Sequence, residues 1–258
     1  MKKFNIFGKR YLTHTSLTER LLYNDNNNER LLPNDIEKLR KPFVPEIEPS
    51  LLKYNERFWK KIFPHKNGIK LENLQLSNIG SYSIFYPLDA IKLAKIIRSF
   101  FSKDESVTIT DATANMGGAT IAFANYFNFV NSVEIIPFHC KILANNINIY
   151  NIESKVKIHC IDYLDIGNKL TQDVIFFDPP WGGPEYKNLE LMSMSLDNIN
   201  ISDIIKTLID KKKVKLVAIR VPFNYDFKEL LKLTDKSYIY TFNKPDGKLN
   251  FFLIILQI

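Results

Sequence analysis

With 258 residues, 45% of them hydrophobic, the chain is long enough to bury one large α/β core plus a small extension. It contains no run of 18 apolar residues, and Met1-Lys2-Lys3-Phe4 leads into polar sequence, so neither a membrane span nor a secretory signal is expected. The net charge of +7 lies entirely at the front, where residues 1–70 hold 15 Lys or Arg against 8 Asp or Glu and the remainder holds 20 of each. A basic leading segment ahead of a neutral body suits the steering of a phosphate-rich partner, and Lys60, Lys61, Lys66 and Lys70 are its candidates.

Residues 1–43 have a loosely ordered composition, with Asn24–Asn28 as a loop, and Pro42, Pro45 and Pro49 mark a linker. Leu51 to Phe63 reads as an amphipathic helix with Trp59 in the core or at an interface. Pro87 then opens a helix through Leu88, Ile91, Ala94 and Arg98.

Val107 to Asp111 is a short buried strand running into Ala112-Thr113-Ala114-Asn115-Met116-Gly117-Gly118 and a helix over Ala119–Tyr126. A strand, a turn with paired glycines and a helix form the first βα unit of a nucleotide-binding sheet. The G-x-G-x-x-G spacing is absent, and so is a G-x-x-x-x-G-K-[ST] phosphate loop, which argues against pyrophosphate as the ligand. Glu134 ends the next apolar segment, Phe129–Ile135, where a carboxylate can take both hydroxyls of a ribose. A helix near Phe138–Tyr150 leads to a third strand, Val156–Ile161, with Asp162 at its tip and Tyr163 beside it. Cys140 and Cys160 lack metal-ligand spacing and are expected to be reduced, structural thiols; no metal site is expected. The four histidines are scattered and form no catalytic pair.

The fourth strand, Val174–Phe177, ends in Asp178-Pro179-Pro180-Trp181-Gly182-Gly183-Pro184. Two prolines fix the backbone, so a side-chain oxygen and the following carbonyl are held ready to accept from an exocyclic amine while the indole stacks on a flat base. Acids at four successive strand ends, Asp111, Glu134, Asp162 and Asp178, describe an S-adenosylmethionine site, with Thr113, Asn115, Gly117 and Gly118 in its turn. Helices near Ile201–Asp210 and Asp226–Lys232 and strands near Leu216–Val221, Ser237–Phe242 and Leu249–Gln257 follow, the last two joined by a hairpin turn at Asn243–Gly247. The alternation predicts an α/β fold with a seven-stranded, mostly parallel sheet, helices on both faces and a C-terminal antiparallel hairpin.

From about Phe58 onward the chain resembles the trimethylguanosine synthases, the cap-specific guanine-N2 methyltransferases, most specifically in Asp178-Pro-Pro-Trp-Gly-Gly-Pro-Glu-Tyr186. The turn Asp111–Gly118, Val133-Glu134 with Pro137, Cys160-Ile-Asp-Tyr-Leu164 and Asn67–Leu71 add to it. The resemblance implies a Rossmann-like class I methyltransferase domain over residues 87–258, a helical substrate-side segment over 51–86 and a basic extension over 1–50. It implies that Asp111, Gly117 and Gly118 hold the methionine end of S-adenosyl-L-methionine, Glu134 the ribose and Asp162 the adenine. Trp181 and Pro180 would line the 7-methylguanine site, and Asp178 with the Pro179 carbonyl would receive the N2 amine. Asn146 would lie near the guanine and Lys70 near the cap phosphates.

The family has Ser where this chain has Asp178, an anion expected to favour a cationic 7-methylguanine over plain guanine, and Phe223 replaces an Arg that follows the late Pro222. The expected substrate is 5'-capped RNA, converted to 2,7-dimethyl- or 2,2,7-trimethylguanosine by a soluble, intracellular monomer. The richness in Lys, Asn and Ile is that of an AT-rich genome, such as a large DNA virus acting in a host cytoplasm. Two readings stay open beside this one: adenine-N6 methylation of RNA or DNA, because Asp-Pro-Pro-Trp also occurs there, and a non-catalytic cap-binding subunit.

Overall fold

The computed structural model describes residues 48–182 and 184–258. The expected Asn24–Asn28 loop, most of the proline linker and Gly183 lie outside these residues.

Seven strands form one sheet: β1 (Thr108–Asp111), β2 (Phe129–Glu134), β3 (Val156–Cys160), β4 (Val174–Phe177), β5 (Leu216–Pro222), β6 (Ser237–Asn243) and β7 (Leu249–Gln257). Their order is β3-β2-β1-β4-β5-β7-β6. The first five run parallel, and β7 is antiparallel to both of its neighbours, β5 and β6. The hairpin therefore folds back so that β7, not β6, continues the sheet. β7 is the more apolar of the two: Leu253, Ile254, Ile255 and Leu256 are all fully buried. A strand covered on both faces belongs in the interior, and the more exposed β6 takes the edge.

Alternation within β4 shows the two covered faces. Val174 and Phe176 join the main core cluster, while Ile175 and Phe177, equally buried, face the other way. Helices α3 (Pro87–Arg98), α4 (Gly118–Tyr126) and α5 (Pro137–Ile149) supply the first core; α3 and α5 both begin on a proline at the first turn. Short helices α6 (Tyr163–Ile166) and α8 (Lys228–Leu231) flank the longer α7 (Ile201–Asp210), whose Ile201, Ile204, Ile205 and Leu208 are buried.

Residues 51–86 carry α1 (Glu56–Ile62) and α2 (Gly80–Ser83). Helix α1 starts at Glu56, five residues later than the amphipathic pattern suggests, capped by Asn55, whose side chain accepts from the Phe58 N–H. Trp59 is buried and its indole N–H donates to the Leu74 carbonyl at 2.8 Å. The Tyr150 hydroxyl donates to Pro64 O at 2.7 Å, tying this segment to the end of α5.

One expectation is overturned. Cys140 on α5 and Cys160 at the end of β3 are joined in a disulfide, with Cα atoms 5.8 Å apart. They look unrelated in sequence, but the β2–α5–β3 crossover returns the chain beside itself and brings them together. Among the described residues no helix is long and apolar enough to cross a membrane, and no group of three or more His, Cys, Asp or Glu could hold a metal ion.

Candidate active site

The parallel strands all end at one edge, and their C-terminal tips carry the expected acids, as open α/β sheets place their ligands. Asp111 closes β1, Glu134 closes β2, Asp162 follows β3 and Asp178 follows β4. The turn after β1 is pinned on both sides: Ala112 N–H donates to Phe176 O and Ala114 N–H to Val133 O. Asn115 and Gly117 adopt positive φ, +50° and +98°, and Gly117 caps α4. A side chain on Gly118 would come within 2.8 Å of the Phe85 N, so only glycine lets the Ile84–Phe85 backbone pack over the start of α4.

Asp111 is almost fully buried, and the Thr120 hydroxyl donates to its Oδ2 at 2.7 Å. Its Oδ1 meets no partner at good hydrogen-bond geometry, and the Thr113 backbone near the carboxyl favours the charged form. Burial, assisted by the nearby charges of Asp178 and Glu134 and opposed by the Thr120 hydrogen bond, raises its pKa to about 7. Glu134 is also buried, and its two oxygens accept from backbone: Oε2 from Asn115 N–H at 2.8 Å, Oε1 from Ile136 N–H at 2.9 Å. An ionised carboxylate has further lone pairs, so both roles fit one group. His139 Nδ1 lies 3.8 Å from Glu134 Oε1, and its Nε2 is 2.8 Å from the Ser77 hydroxyl, which accepts from Gly80 N–H. His139 was invisible as a site residue because its partners are 62 and 5 residues away.

Asp162 caps α6, its Oδ1 accepting from Leu164 N–H at 2.9 Å. Tyr163 departs from its expected place beside a ligand. Its ring is buried edge-on against Phe177 at 5.3 Å, and Gln172 donates weakly to its hydroxyl at 3.4 Å, because the first turn of α6 directs it inward. Asn146 departs similarly. It is fully buried on α5, where its amide donates to Gln75 O and Met116 O and its oxygen accepts from Gln75 N–H. It braces the glycine turn against Gln75 instead of presenting a free amide.

The diproline corner is anchored at its start, where Asp178 N–H donates to Thr113 Oγ1 at 3.0 Å. Pro179 is buried, Pro180 exposed and Trp181 half-buried. The Asp178 charge is not free, however. Arg220 Nη1 donates to its Oδ2 at 2.7 Å, in a pair whose side chains are 14% and 15% exposed. Burial pushes the Asp178 pKa up and the guanidinium opposes the shift. Asp178, expected as an anion that favours a cationic base, therefore stands in an ion pair with Arg220. The same guanidinium lies over Phe85, Trp181 and Phe251, 4.4, 4.6 and 4.6 Å from their centroids. Tyr186 meets Trp181 edge-on at 5.2 Å and packs toward Phe223. Sequence reading missed Arg220, although a single cation inside an apolar strand, Val217-Ala-Ile-Arg220-Val, is a usable signal.

The lysines expected to meet phosphate are distributed unevenly. Lys60 pairs with Glu56, Lys61 lies over the Tyr86 ring and Lys66 donates to Tyr150 O. Lys70 is exposed, just before the short turn Leu71–Asn73. A separate cleft at the opposite ends of the strands, lined by Lys95, Arg98 and Lys155, belongs to the C-terminal ends of α3 and α4, whose carbonyls such cations complement.

Of the eight buried side-chain polar atoms left without a partner among the described residues, four cluster here: Asp111 Oδ1, Asn115 Oδ1, Trp181 Nε1 and Arg220 Nε. Native interiors leave few such atoms, so their concentration fits a site built to complete its hydrogen bonds with a ligand. The acids, the glycine turn and the indole suit a ligand with a cationic end, a ribose and a flat base.

Comparison with known proteins identifies the family. The family model for RNA cap guanine-N2 methyltransferases matches residues 106–248. An uncharacterized protein of Acanthamoeba polyphaga mimivirus is 28% identical over 218 residues, spanning 83% of this chain and 82% of that protein. The trimethylguanosine synthase of Schizosaccharomyces pombe is 30% identical over 231 residues, spanning 84% of this chain and 90% of that protein. Among solved structures, a Porphyromonas gingivalis protein named as a methyltransferase shares the fold at a TM-score of 0.54 and 14% identity, over 74% of this chain and 45% of that one.

Proposed function

The chain belongs to the RNA cap guanine-N2 methyltransferase family, and from that premise we infer that it methylates the exocyclic N2 of 7-methylguanine in an RNA cap, with S-adenosyl-L-methionine as donor. The observation that carries the reading is the juxtaposition of four strand-end acids and a glycine turn with the Asp178-Pro-Pro-Trp181 corner.

S-adenosylmethionine supplies an already activated, electrophilic methyl group. The chain's own residues then have to bind and align. Asp111 Oδ1 is the acceptor for the donor's ammonium or a bridging water, and Gly117 and Gly118 let the backbone approach it. Glu134 takes the ribose hydroxyls while holding the turn, and Asp162 takes the adenine amine. Thr113 fixes the start of the corner through the Asp178 N–H, so Thr113 and Asn115 act by shaping the turn. Trp181 stacks the purine, with a cation–π gain of about 0.5–2 kcal/mol for a 7-methylated base. Asp178 and the Pro179 carbonyl accept from the N2 amine and orient its lone pair, with Pro180 at the exposed rim. Alignment of this kind is the main source of rate for a transfer that needs no further activation of the donor. Lys70 and the basic leading residues meet the cap triphosphate and the RNA that follows it.

A filter assay with labelled donor and three RNAs tests the reading: one capped with 7-methylguanosine, one with an unmethylated cap and one uncapped. Transfer is expected only to the first. Equal labelling of uncapped, adenine-containing RNA would select adenine-N6 methylation instead, and no transfer together with no donor binding would select a cap-binding subunit.

Asp111 also makes the site pH-dependent. Its pKa of about 7 in the fold lies above the ordinary value of 3.8, so at intermediate pH the folded protein holds a proton that the unfolded chain has released. Its contribution to stability is therefore present in full at pH values below 3.8 and is lost progressively as pH rises from there to about 7. Holding a cationic ligand demands the opposite, an ionised Asp111. Affinity for S-adenosylhomocysteine is expected to fall up to about tenfold per pH unit below 7, by proton linkage, and Asp111→Asn should weaken binding and flatten that slope. Calorimetric titration at pH 6, 7 and 8 measures both, and an unchanged slope in the variant removes Asp111 from this role.

A further inference from the structure

We propose that Arg220 is the positioning residue of the diproline corner, acting with Asp178 as one unit that fixes the amine acceptor and the stacking ring together. This rests on the cap reading above.

The register of the sheet creates the pair. Strands β4 and β5 run parallel with Phe177 opposite Ile219, so the next position on each strand sets Asp178 beside Arg220. Nη1 holds Asp178 Oδ2 at 2.7 Å, which leaves Oδ1 to face a substrate amine. The guanidinium also lies over Trp181, 4.6 Å from its centroid, so the indole is supported by the group that holds Asp178. Phe85 and Phe251 complete an aromatic box around the cation. Arg suits this position because its flat guanidinium can stack on rings and bond a carboxylate at the same time, which the point charge of Lys cannot do.

Asp178 brings a carboxylate into a corner where its side chain is only 15% exposed. Its charge is tolerable in a nearly dry corner because Arg220 neutralises it. Removing either partner leaves the other buried and uncompensated, whereas removing both charges restores neutrality. Recognition of the cationic purine therefore falls to the Trp181 face, with Asp178 acting as an oriented acceptor more than as a counter-ion.

The test uses the full chain as wild type and as R220M, R220K, D178N and the double variant D178N/R220M. Three quantities are read: kcat and KM on 7-methylguanosine-capped RNA, quenching of tryptophan fluorescence by 7-methyl-GTP, and calorimetric affinity for S-adenosylhomocysteine. R220M and D178N should each lower kcat/KM by about a hundredfold, the scale of breaking a buried pair. Binding of 7-methyl-GTP should weaken alongside, by a larger factor than S-adenosylhomocysteine affinity, which the Asp178 charge reaches only through Asp111. The double variant should recover to within about tenfold of wild type, because coupled residues do not add. R220K keeps the charge and, with a melting temperature close to wild type, should still lose turnover, which covers the case in which R220M does not fold. Wild-type activity in R220M or R220K, or a double variant as poor as the product of the singles, overturns the proposal. If wild type itself fails to label capped RNA, the functional reading has failed, and the two failures are thereby distinguished.

Discussion

Trp181→Ala is expected to reduce methyl transfer to capped RNA by about a hundredfold while leaving S-adenosylhomocysteine affinity within about twofold. The magnitude follows from two losses. Stacking of a base on an aromatic ring is worth about 1–3 kcal/mol, and the cation–π attraction of a 7-methylated purine adds about 0.5–2 kcal/mol. The separation of roles follows from where Trp181 packs, against Arg220, Tyr186 and the rim of the core. Removing the ring also uncovers the Arg220 guanidinium, so a modest drop in melting temperature should accompany the loss. Trp181→Phe keeps a ring face and should retain part of the activity. Kinetics on capped RNA beside calorimetry with S-adenosylhomocysteine checks this. Collapse of both would make Trp181 a structural residue and remove it from the base site.

The second large effect concerns Glu134. A ribose contact alone would cost roughly 1.5–3 kcal/mol on removal, as hydrogen bonds to a charged group do. Here the carboxylate also accepts from Asn115 N–H inside the glycine turn and from Ile136 N–H at the start of α5. Glu134→Ala leaves those donors unpaired beside buried His139, so the turn should loosen as the ribose contact disappears. We expect S-adenosylhomocysteine affinity to fall by about a thousandfold, beyond a ribose contact, with a clear loss of thermal stability. Glu134→Gln can keep one backbone acceptor and should fall between the two. An unchanged dissociation constant in Glu134→Ala would place the ribose elsewhere.

Much of the architecture was legible because strands and helices announce themselves through local periodicity. The apolar segments at Val107–Asp111, Val174–Phe177 and Leu249–Gln257 fall within a residue of β1, β4 and β7. Strand-end acids are equally legible, because a strand boundary fixes where its last side chain stands. Side-chain direction along the helices was not. Tyr163, opening α6, and Asn146, in the last turn of α5, both turn inward, where they bond Gln172, the Gln75 backbone and Met116 O. Helix α1 is shorter than its apolar pattern, because the Asn55 cap sets its start.

Order along the chain, the identity of the corner residues and the glycine turn were therefore determined by the amino acids themselves, each within a window of about a dozen neighbours. What required the folded molecule was every pairing across distance. The Cys140–Cys160 bond depends on the return of a crossover, the central place of β7 on its fully buried face, and the Asp178–Arg220 pair on a strand register spanning 42 residues. Periodicity reports which way a residue faces, but only the sheet decides what it meets there.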